Sequence, residues 1–273
     1  MNYTIKGLGG ICMSEIITSK NLDEVIKKND QIREEIKGLK DNFYSNYNSS
    51  EAIKAEEKLA FKLLKDRNLI QLPIDDEYWG GAIFVKNGKK IPVINTAQPR
   101  VYQYFVAWHE VYHLITNFES NDRMYTINID MELEERKADY FAAEMLLGNV
   151  YNYFIDLKEE DFTNKIMYCM DLYKAPYKVI LINLYEEAIK SQNENLKDLI
   201  INNFDKKPKN LVEKFKELEL DDELVKPSNV VSVGNLEKKI KKCIVNDDEA
   251  TSHKSNLDFL KELTQNIKSL IGE

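Results

Sequence analysis

Apolar residues recur at helical spacing along most of the chain. Between Leu22 and Phe43 they stand among many charged residues, which predicts an amphipathic helix. The polar stretch 44–50 breaks this pattern, and Ser50 is suited to cap the next helix. The same spacing predicts further helices over 51–66, 131–147, 154–171, 176–188, 237–245 and 257–271.

Two short apolar runs predict a β-hairpin. Residues 80–85 and 90–95 flank Lys86-Asn87-Gly88-Lys89, and Asn-Gly between apolar runs is a strong hairpin signal. Pro92 has no N–H to donate, so at least one side of its strand should be unpaired or at the sheet edge. Such a strand either binds an extended peptide or merely covers the core. Together with the helices, the hairpin predicts an α+β fold that is mostly helical.

Composition and charge describe an ordinary protein able to bury a core. Of the 273 residues, 43% are hydrophobic and 31% are charged. The net charge of −8 argues against a nucleic-acid-binding body, which would need a basic face. Residues 1–7 lack a charged start followed by a long apolar run, and no apolar stretch has membrane-spanning length, so we expect neither a signal peptide nor a membrane span. Cys12, Cys169 and Cys243 match no zinc or disulfide spacing, so we expect free thiols and a cytoplasmic protein.

The clearest chemical signal is His109-Glu110-Val111-Tyr112-His113, which holds two of the three histidines. Residues four apart share one face of a helix, so both imidazoles can point at the same ion. Zn²⁺ accepts imidazole nitrogens at roughly 2.0–2.1 Å and keeps one position open for water at catalytic sites. Glu110 would then take a proton from that water, as the pattern implies in metalloproteases. A chance match is a weak competitor because histidine is so rare in this chain.

A tetrahedral site needs a third protein ligand, and the predicted helix 131–147 offers acidic candidates. We prefer Glu135, because Asp139 follows one turn later on the same face and precedes a Phe-Ala-Ala packing surface. A carboxylate at Asp139 can accept the second N–H of a ligating histidine and fix its tautomer. Glu132 and Glu134 are rival ligands, since the whole segment is acidic.

At these residues the chain resembles the ImmA/IrrE family of metallopeptidases. That family pairs HExxH with a later helix of the form Glu-x-x-Ala-Asn/Asp-x-Phe-Ala-Ala, which residues 109–113 and 135–143 match in order. The resemblance includes Gly80-Gly81 and the strand at 91–95, and it covers roughly residues 52–190. The departures are Tyr112 where the family usually has Gly, Asp139 where it usually has Asn, and Gly148-Asn149 where it usually has Met-Pro.

The resemblance implies a zincin-like core with the hairpin packed beside the metal helix. The chain as a whole is expected to have three parts: an N-terminal helical segment over 1–50, a zinc metallopeptidase domain over 51–204 and a helical C-terminal extension over 205–273. Lys206-Lys207-Pro208-Lys209 looks like the linker to that extension, in which residues 230–234 predict a small strand.

The function implied by the resemblance is that of a zinc-dependent endopeptidase. His109, His113 and Glu135 would bind Zn²⁺, Glu110 would act as general base and Asp139 would support a ligating histidine. The implied partner is a protein substrate, namely a helix-turn-helix transcriptional repressor encoded nearby. Neither a direct nucleic-acid partner nor a membrane is expected.

Two other functions remain open. Tyr112 and the extension, which carries no family motif, suggest a zinc-binding regulatory or scaffold protein without turnover. A DNA-binding regulator would use residues 154–188 as a helix-turn-helix pair. The second of these helices is mostly apolar and the chain is acidic, which disfavours that hypothesis.

Overall fold

The computed structural model describes residues 17–46, 56–76, 78–86, 88–116, 132–206, 208–246 and 251–270. Within these ranges the protein is mostly helical with one three-stranded sheet, which confirms the predicted α+β class. The helices are α1 (Leu22–Asn46), α2 (Glu56–Asp66), α3 (Arg100–Ile115), α4 (Leu133–Leu146), α5 (Val150–Asp156), α6 (Phe162–Tyr173), α7 (Tyr177–Lys190), α8 (Glu194–Phe204), α9 (Leu211–Glu217), α10 (Leu236–Asn246) and α11 (Thr251–Leu270). The strands are β1 (Ile70–Leu72), β2 (Gly81–Lys86) and β3 (Lys89–Asn95).

Some predicted helices have different bounds in the structure. The single helix predicted over 154–171 is wrong: α5 ends at Asp156, and Asp161 caps α6 by accepting a hydrogen bond from the Asn164 N–H (2.8 Å). α11 begins at Thr251, six residues before the predicted start, and includes His253. The predicted cap at Ser50 lies outside the described residues.

The sheet has the order β1-β3-β2, with β3 in the centre. β2 and β3 form the predicted hairpin, with Gly81 opposite Ile94, and Gly88 takes the positive φ of 70° that the turn requires. β1 runs parallel to β3 but pairs only with Val93 to Asn95. Pro92 precedes that paired stretch, so its strand has an unpaired side there, as expected. Because β2 stands at one end of the order β1-β3-β2, it is an edge strand of this sheet.

The core lies where α3 and α4 pack against each other, with α1 and α2 alongside. Trp108 and Phe141 are fully buried and meet edge-on, with ring centroids 6.2 Å apart, and Phe43 of α1 contacts both rings. Ala138 and Ala142 are also fully buried, and their small size allows the two helices to approach closely. Each buried large side chain contributes roughly 1.5–3 kcal/mol, so this packing fixes α3 and α4 relative to each other.

The first part of the C-terminal extension is attached to the sheet and to the start of α3. The Arg100 N–H donates to the Lys226 carbonyl (3.1 Å), and the Ser228 hydroxyl donates to Oε1 of Gln103 (2.8 Å). The strand predicted over 230–234 is reduced to one isolated bridge between Ser232 and Gln71. Among the described ranges, no helix combines the length and apolar character that a membrane crossing requires.

Candidate metal centre

Two helices bring three potential metal ligands together. α3 begins after Pro99, where a missing N–H costs nothing, and carries His109 and His113 on one face. The Nε2 atoms of these histidines are 3.2 Å apart. α4 places Glu135 against them, with Oε2 3.1 Å from Nε2 of His109 and Oε1 3.5 Å from Nε2 of His113.

These separations fit a tetrahedral ion. At metal–ligand distances of about 2.0–2.1 Å, two tetrahedral ligands are about 3.3 Å from each other, and the three observed distances lie on either side of that value. The mixed nitrogen and oxygen set suits zinc and other transition ions, whereas Ca²⁺ and Mg²⁺ bind mainly oxygen. His109, His113 and Glu135 could therefore hold a metal ion.

The two rival acidic residues are engaged elsewhere or exposed. Glu134 accepts a hydrogen bond from the Tyr112 hydroxyl (3.3 Å) and forms an ion pair with Lys137 (3.0 Å). Glu132 precedes the first turn of α4 and is exposed. Among the described residues, neither belongs to the cluster of potential ligands, which contains Glu135.

Asp139 orients one of the two histidines. Its Oδ1 lies 2.9 Å from Nδ1 of His109, and its Oδ2 accepts a hydrogen bond from Nη1 of Arg136 (3.2 Å). When Nδ1 of His109 donates to this carboxylate, Nε2 is left free to face an ion. The sequence predicts such a contact between Asp139 and a histidine of the HExxH motif. His113 differs, because its buried Nδ1 has no hydrogen-bond partner among the described residues.

Replacing Asp139 by Ala is expected to weaken metal binding by about 10- to 100-fold, because His109 loses the acceptor that fixes its tautomer and orientation. Competition with a fluorescent zinc chelator measures this change. Asp139→Asn keeps an amide oxygen that can accept from Nδ1 but places an NH2 group against Nη1 of Arg136, so its affinity should lie between those of Asp139→Ala and the wild type. An unchanged affinity in Asp139→Ala would show that the contact does not support the ligand.

Glu110 lies in the same cleft beside the glycine pair that opens β2. Glu110 is 4% exposed, and a Cβ added at Gly81 would come within 3.3 Å of its Oε1 and 2.7 Å of Cγ1 of Val106. A Cβ at Gly80 would also meet Val106, at 2.7 Å. The two glycines therefore allow the start of β2 to approach α3 closely, as few other residues could.

Burial disfavours the charged forms of His109, Glu135 and Glu110, and the contacts between these side chains shift their pKa values further. Burial by itself would lower the pKa of His109, but hydrogen bonds with Asp139 and Glu135 raise it well above its usual value. Burial by itself would raise the pKa of Glu135, but hydrogen bonds with His109 and His113 lower it to about 2. For Glu110, burial raises the pKa despite the two nearby histidines. Glu135 thus stays anionic as a ligand should, while Glu110 has the added basicity of a proton acceptor.

The potential ligands open onto a cleft of about 470 Å³. One wall comes from β2 and from aromatic and aliphatic residues of α3. Trp108 of α3 is fully buried, whereas Tyr102, Phe105 and Val106 line the cleft, and Tyr102 is 38% exposed. α3 therefore has an apolar flank that a bound molecule could contact.

The opposite wall is missed by the sequence predictions, which identify the ligands, the two helices that carry them and the hairpin. It consists of Asn29 from α1 and of Val179, Ile182, Asn183 and Glu186, which follow one stripe of α7. The signal that could have indicated it is a polar pair, Asn183 and Glu186, at helical spacing within an otherwise apolar segment. The other faces of α7 are largely buried, so it lacks the exposed surface that a DNA-reading helix needs.

Tyr112 does not crowd the cleft, although its size makes that an obvious expectation. Its ring packs against His113 and Phe141, and its hydroxyl donates to Glu134. It is 2% exposed and is not among the residues that line the cleft. Its position therefore gives no support to the hypothesis of a zinc-binding protein without turnover.

Comparisons of the chain with protein-family models, with curated proteins and with solved structures find no match.

Proposed function

We propose that the protein is a zinc-dependent endopeptidase, similar to the ImmA/IrrE metallopeptidases, that cleaves one specific protein partner. The observation that carries this proposal is the convergence of His109, His113 and Glu135 in a cleft that also holds Glu110. The arrangement of an HExxH helix, a second helix with the glutamate ligand and a small sheet beside them supports a zincin-like core.

The residues of the chain fall into complementary roles. His109, His113 and Glu135 would hold the ion, with His109 oriented by Asp139. Zinc, when bound, supplies a Lewis acid that polarises a carbonyl and makes water more acidic. Glu110 accepts the proton of the attacking water and passes it to the leaving amine. Burial raises the pKa of its carboxyl group, which makes Glu110 a better acceptor for the proton of the attacking water.

The edge of β2 supports a polypeptide substrate. The Asn95 N–H donates to the Gly80 carbonyl (2.8 Å), so in an antiparallel ladder the N–H and C=O of Gly81 and Ile83 face away from β3. Both residues line the cleft, and β2 has no further strand beside it in the described sheet. An extended peptide can hydrogen-bond to such an edge and place one of its carbonyls near the metal centre.

The substrate class follows from the family resemblance, which implies a helix-turn-helix repressor encoded nearby. DNA-binding domains carry basic surfaces, whereas this chain has a net charge of −8. Opposite net charges favour encounter between two proteins. The acidic character of the chain is therefore compatible with a basic protein substrate.

The test of this proposal is to incubate the zinc-loaded protein with the repressor encoded beside its gene and to follow the products by intact-mass spectrometry. We expect cleavage at a single bond that stops when zinc is removed with a chelator and resumes when zinc is restored. A repressor that stays intact with the zinc-loaded protein, both in vitro and on co-expression, would contradict the proposed substrate.

A further inference from the structure

We infer that Arg136 forms a carboxylate-binding site in the cleft, so that the protein prefers substrates that place a carboxylate next to the cleaved bond. The preference among substrates rests on the proposed peptidase function, whereas the binding of a carboxylate at Arg136 does not. Arg136 follows the potential ligand Glu135 on α4 and lines the same cleft as the two histidines.

Arg136 is a buried cation with most of its hydrogen-bonding capacity unused. Its side chain is 4% exposed, and its guanidinium makes one hydrogen bond to the described residues, from Nη1 to Oδ2 of Asp139. Nε is buried without a partner. A buried polar atom without a partner is unusual in a folded protein and costs free energy, so it calls for a specific explanation.

The geometry of a guanidinium group explains which ligand would fit. Nε and Nη2 form one edge of the planar group, and such an edge binds both oxygens of a carboxylate at once. The contact with Asp139 occupies Nη1 and leaves Nε, and with it this edge, without a bond to Asp139. Asp139 also shares its charge with His109, so it compensates Arg136 only in part.

Two other carboxylates of the cleft, those of Glu186 and Glu135, already have partners of their own. Glu186 accepts hydrogen bonds from Asn29 (3.2 Å), Arg33 (2.8 Å), Tyr140 (3.2 Å) and Lys190 (2.8 Å). Glu135 lies against the two histidines. Among the described residues, only Asp139 forms an ion pair with Arg136. A carboxylate from a bound substrate would complete the second edge of the guanidinium.

A binding experiment tests this site without requiring cleavage. The probes are the monohydroxamates of succinic, glutaric and adipic acid, each compared with the same compound bearing a terminal carboxamide. The hydroxamate group anchors each probe at the metal, and the three chain lengths sample different distances to Arg136. Affinities for the zinc-loaded protein are measured by isothermal titration calorimetry, and zinc content is checked for every variant.

We expect the carboxylate of at least one pair to bind about 10- to 100-fold more tightly than its carboxamide. In Arg136→Met this ratio should fall to about 1, and in Arg136→Lys, which keeps the charge but not the two-point contact, it should be intermediate. Lys178→Met is the matched control, because Lys178 is a second cation of the cleft whose Nζ donates to the Ile17 carbonyl, and the ratio should persist. Equal binding within all three pairs, or a ratio that survives in Arg136→Met, would overturn the inference. If Arg136→Met does not retain zinc, an affinity ratio in Arg136→Lys equal to the wild-type ratio would also overturn the inference.

Peptide substrates then identify the source of the carboxylate. One series exchanges Glu for Gln at each position around the cleaved bond, and a second exchanges a free C-terminus for a C-terminal amide. A preference in the first series indicates an acidic side chain, and a preference in the second indicates a chain terminus. Cleavage without either preference would contradict the inference while leaving the peptidase proposal intact. Carboxylate-selective binding without any cleavage would support the inference and contradict the peptidase proposal.

Discussion

Replacement of Glu110 by Gln is expected to lower the rate of peptide cleavage by about 10²- to 10⁴-fold while the protein still binds its metal. The range is that of a lost general base, because an amide cannot accept the proton of the attacking water. Glutamine has nearly the same size as glutamate, so the close approach of Gly81 to this side chain should be preserved. Glu110 is not one of the potential ligands, so the zinc content should stay unchanged.

The rate is measured on the cleaved partner protein, and zinc is quantified by mass spectrometry of the same preparation. Glu134→Gln is the matched control, because Glu134 is a carboxylate near the site that belongs to neither the ligand cluster nor the cleft lining. It should cleave at close to the wild-type rate. A Glu110→Gln protein that retains zinc and cleaves normally would remove Glu110 from the mechanism.

Replacement of Glu135 by Ala is expected to weaken zinc binding by more than 100-fold. Loss of an outer hydrogen-bonding partner of a metal ligand typically costs 10- to 100-fold, and loss of a direct ligand should cost more. The two histidines would remain, but the single carboxylate of the cluster would be gone. The affinity is measured by chelator competition, and circular dichroism verifies that the variant is folded.

Glu132→Ala and Glu134→Ala are the controls, because sequence reasoning leaves both residues as rival ligands. Both should keep the wild-type affinity, since neither belongs to the cluster. The assignment of Glu135 would be wrong if either control lost its zinc while Glu135→Ala kept it.

Local sequence signals predict most of the elements that surround the site. α1, α7 and the β2–β3 hairpin follow from apolar spacing, Pro176 at a helix start and Asn-Gly at a turn. β1 cannot be predicted from local sequence, because it has three residues and forms by parallel pairing with β3. The break between α5 and α6 escapes prediction because the apolar spacing continues across it, and the cap at Asp161 outweighs that spacing.

The candidate site likewise has a part that the sequence predicts and a part that it does not. His109, Glu110 and His113 can be predicted because four residues make one helical turn, and Glu135 and Asp139 repeat that spacing on the next helix of the site. The cleft wall opposite them depends on tertiary packing. Asn29, for example, contacts Glu186 although 157 residues separate them in the sequence. No local pattern encodes such a contact, and the free guanidinium edge of Arg136 becomes visible only when its neighbours are known.

The most direct test of the metal centre is a crystal of the zinc-loaded protein measured on both sides of the zinc absorption edge. We expect one anomalous peak within about 2.0–2.2 Å of Nε2 of His109, Nε2 of His113 and a carboxylate oxygen of Glu135. A zinc peak elsewhere in the protein, or a cleft without such a peak when zinc is in excess, would contradict the metal centre and with it the proposed peptidase.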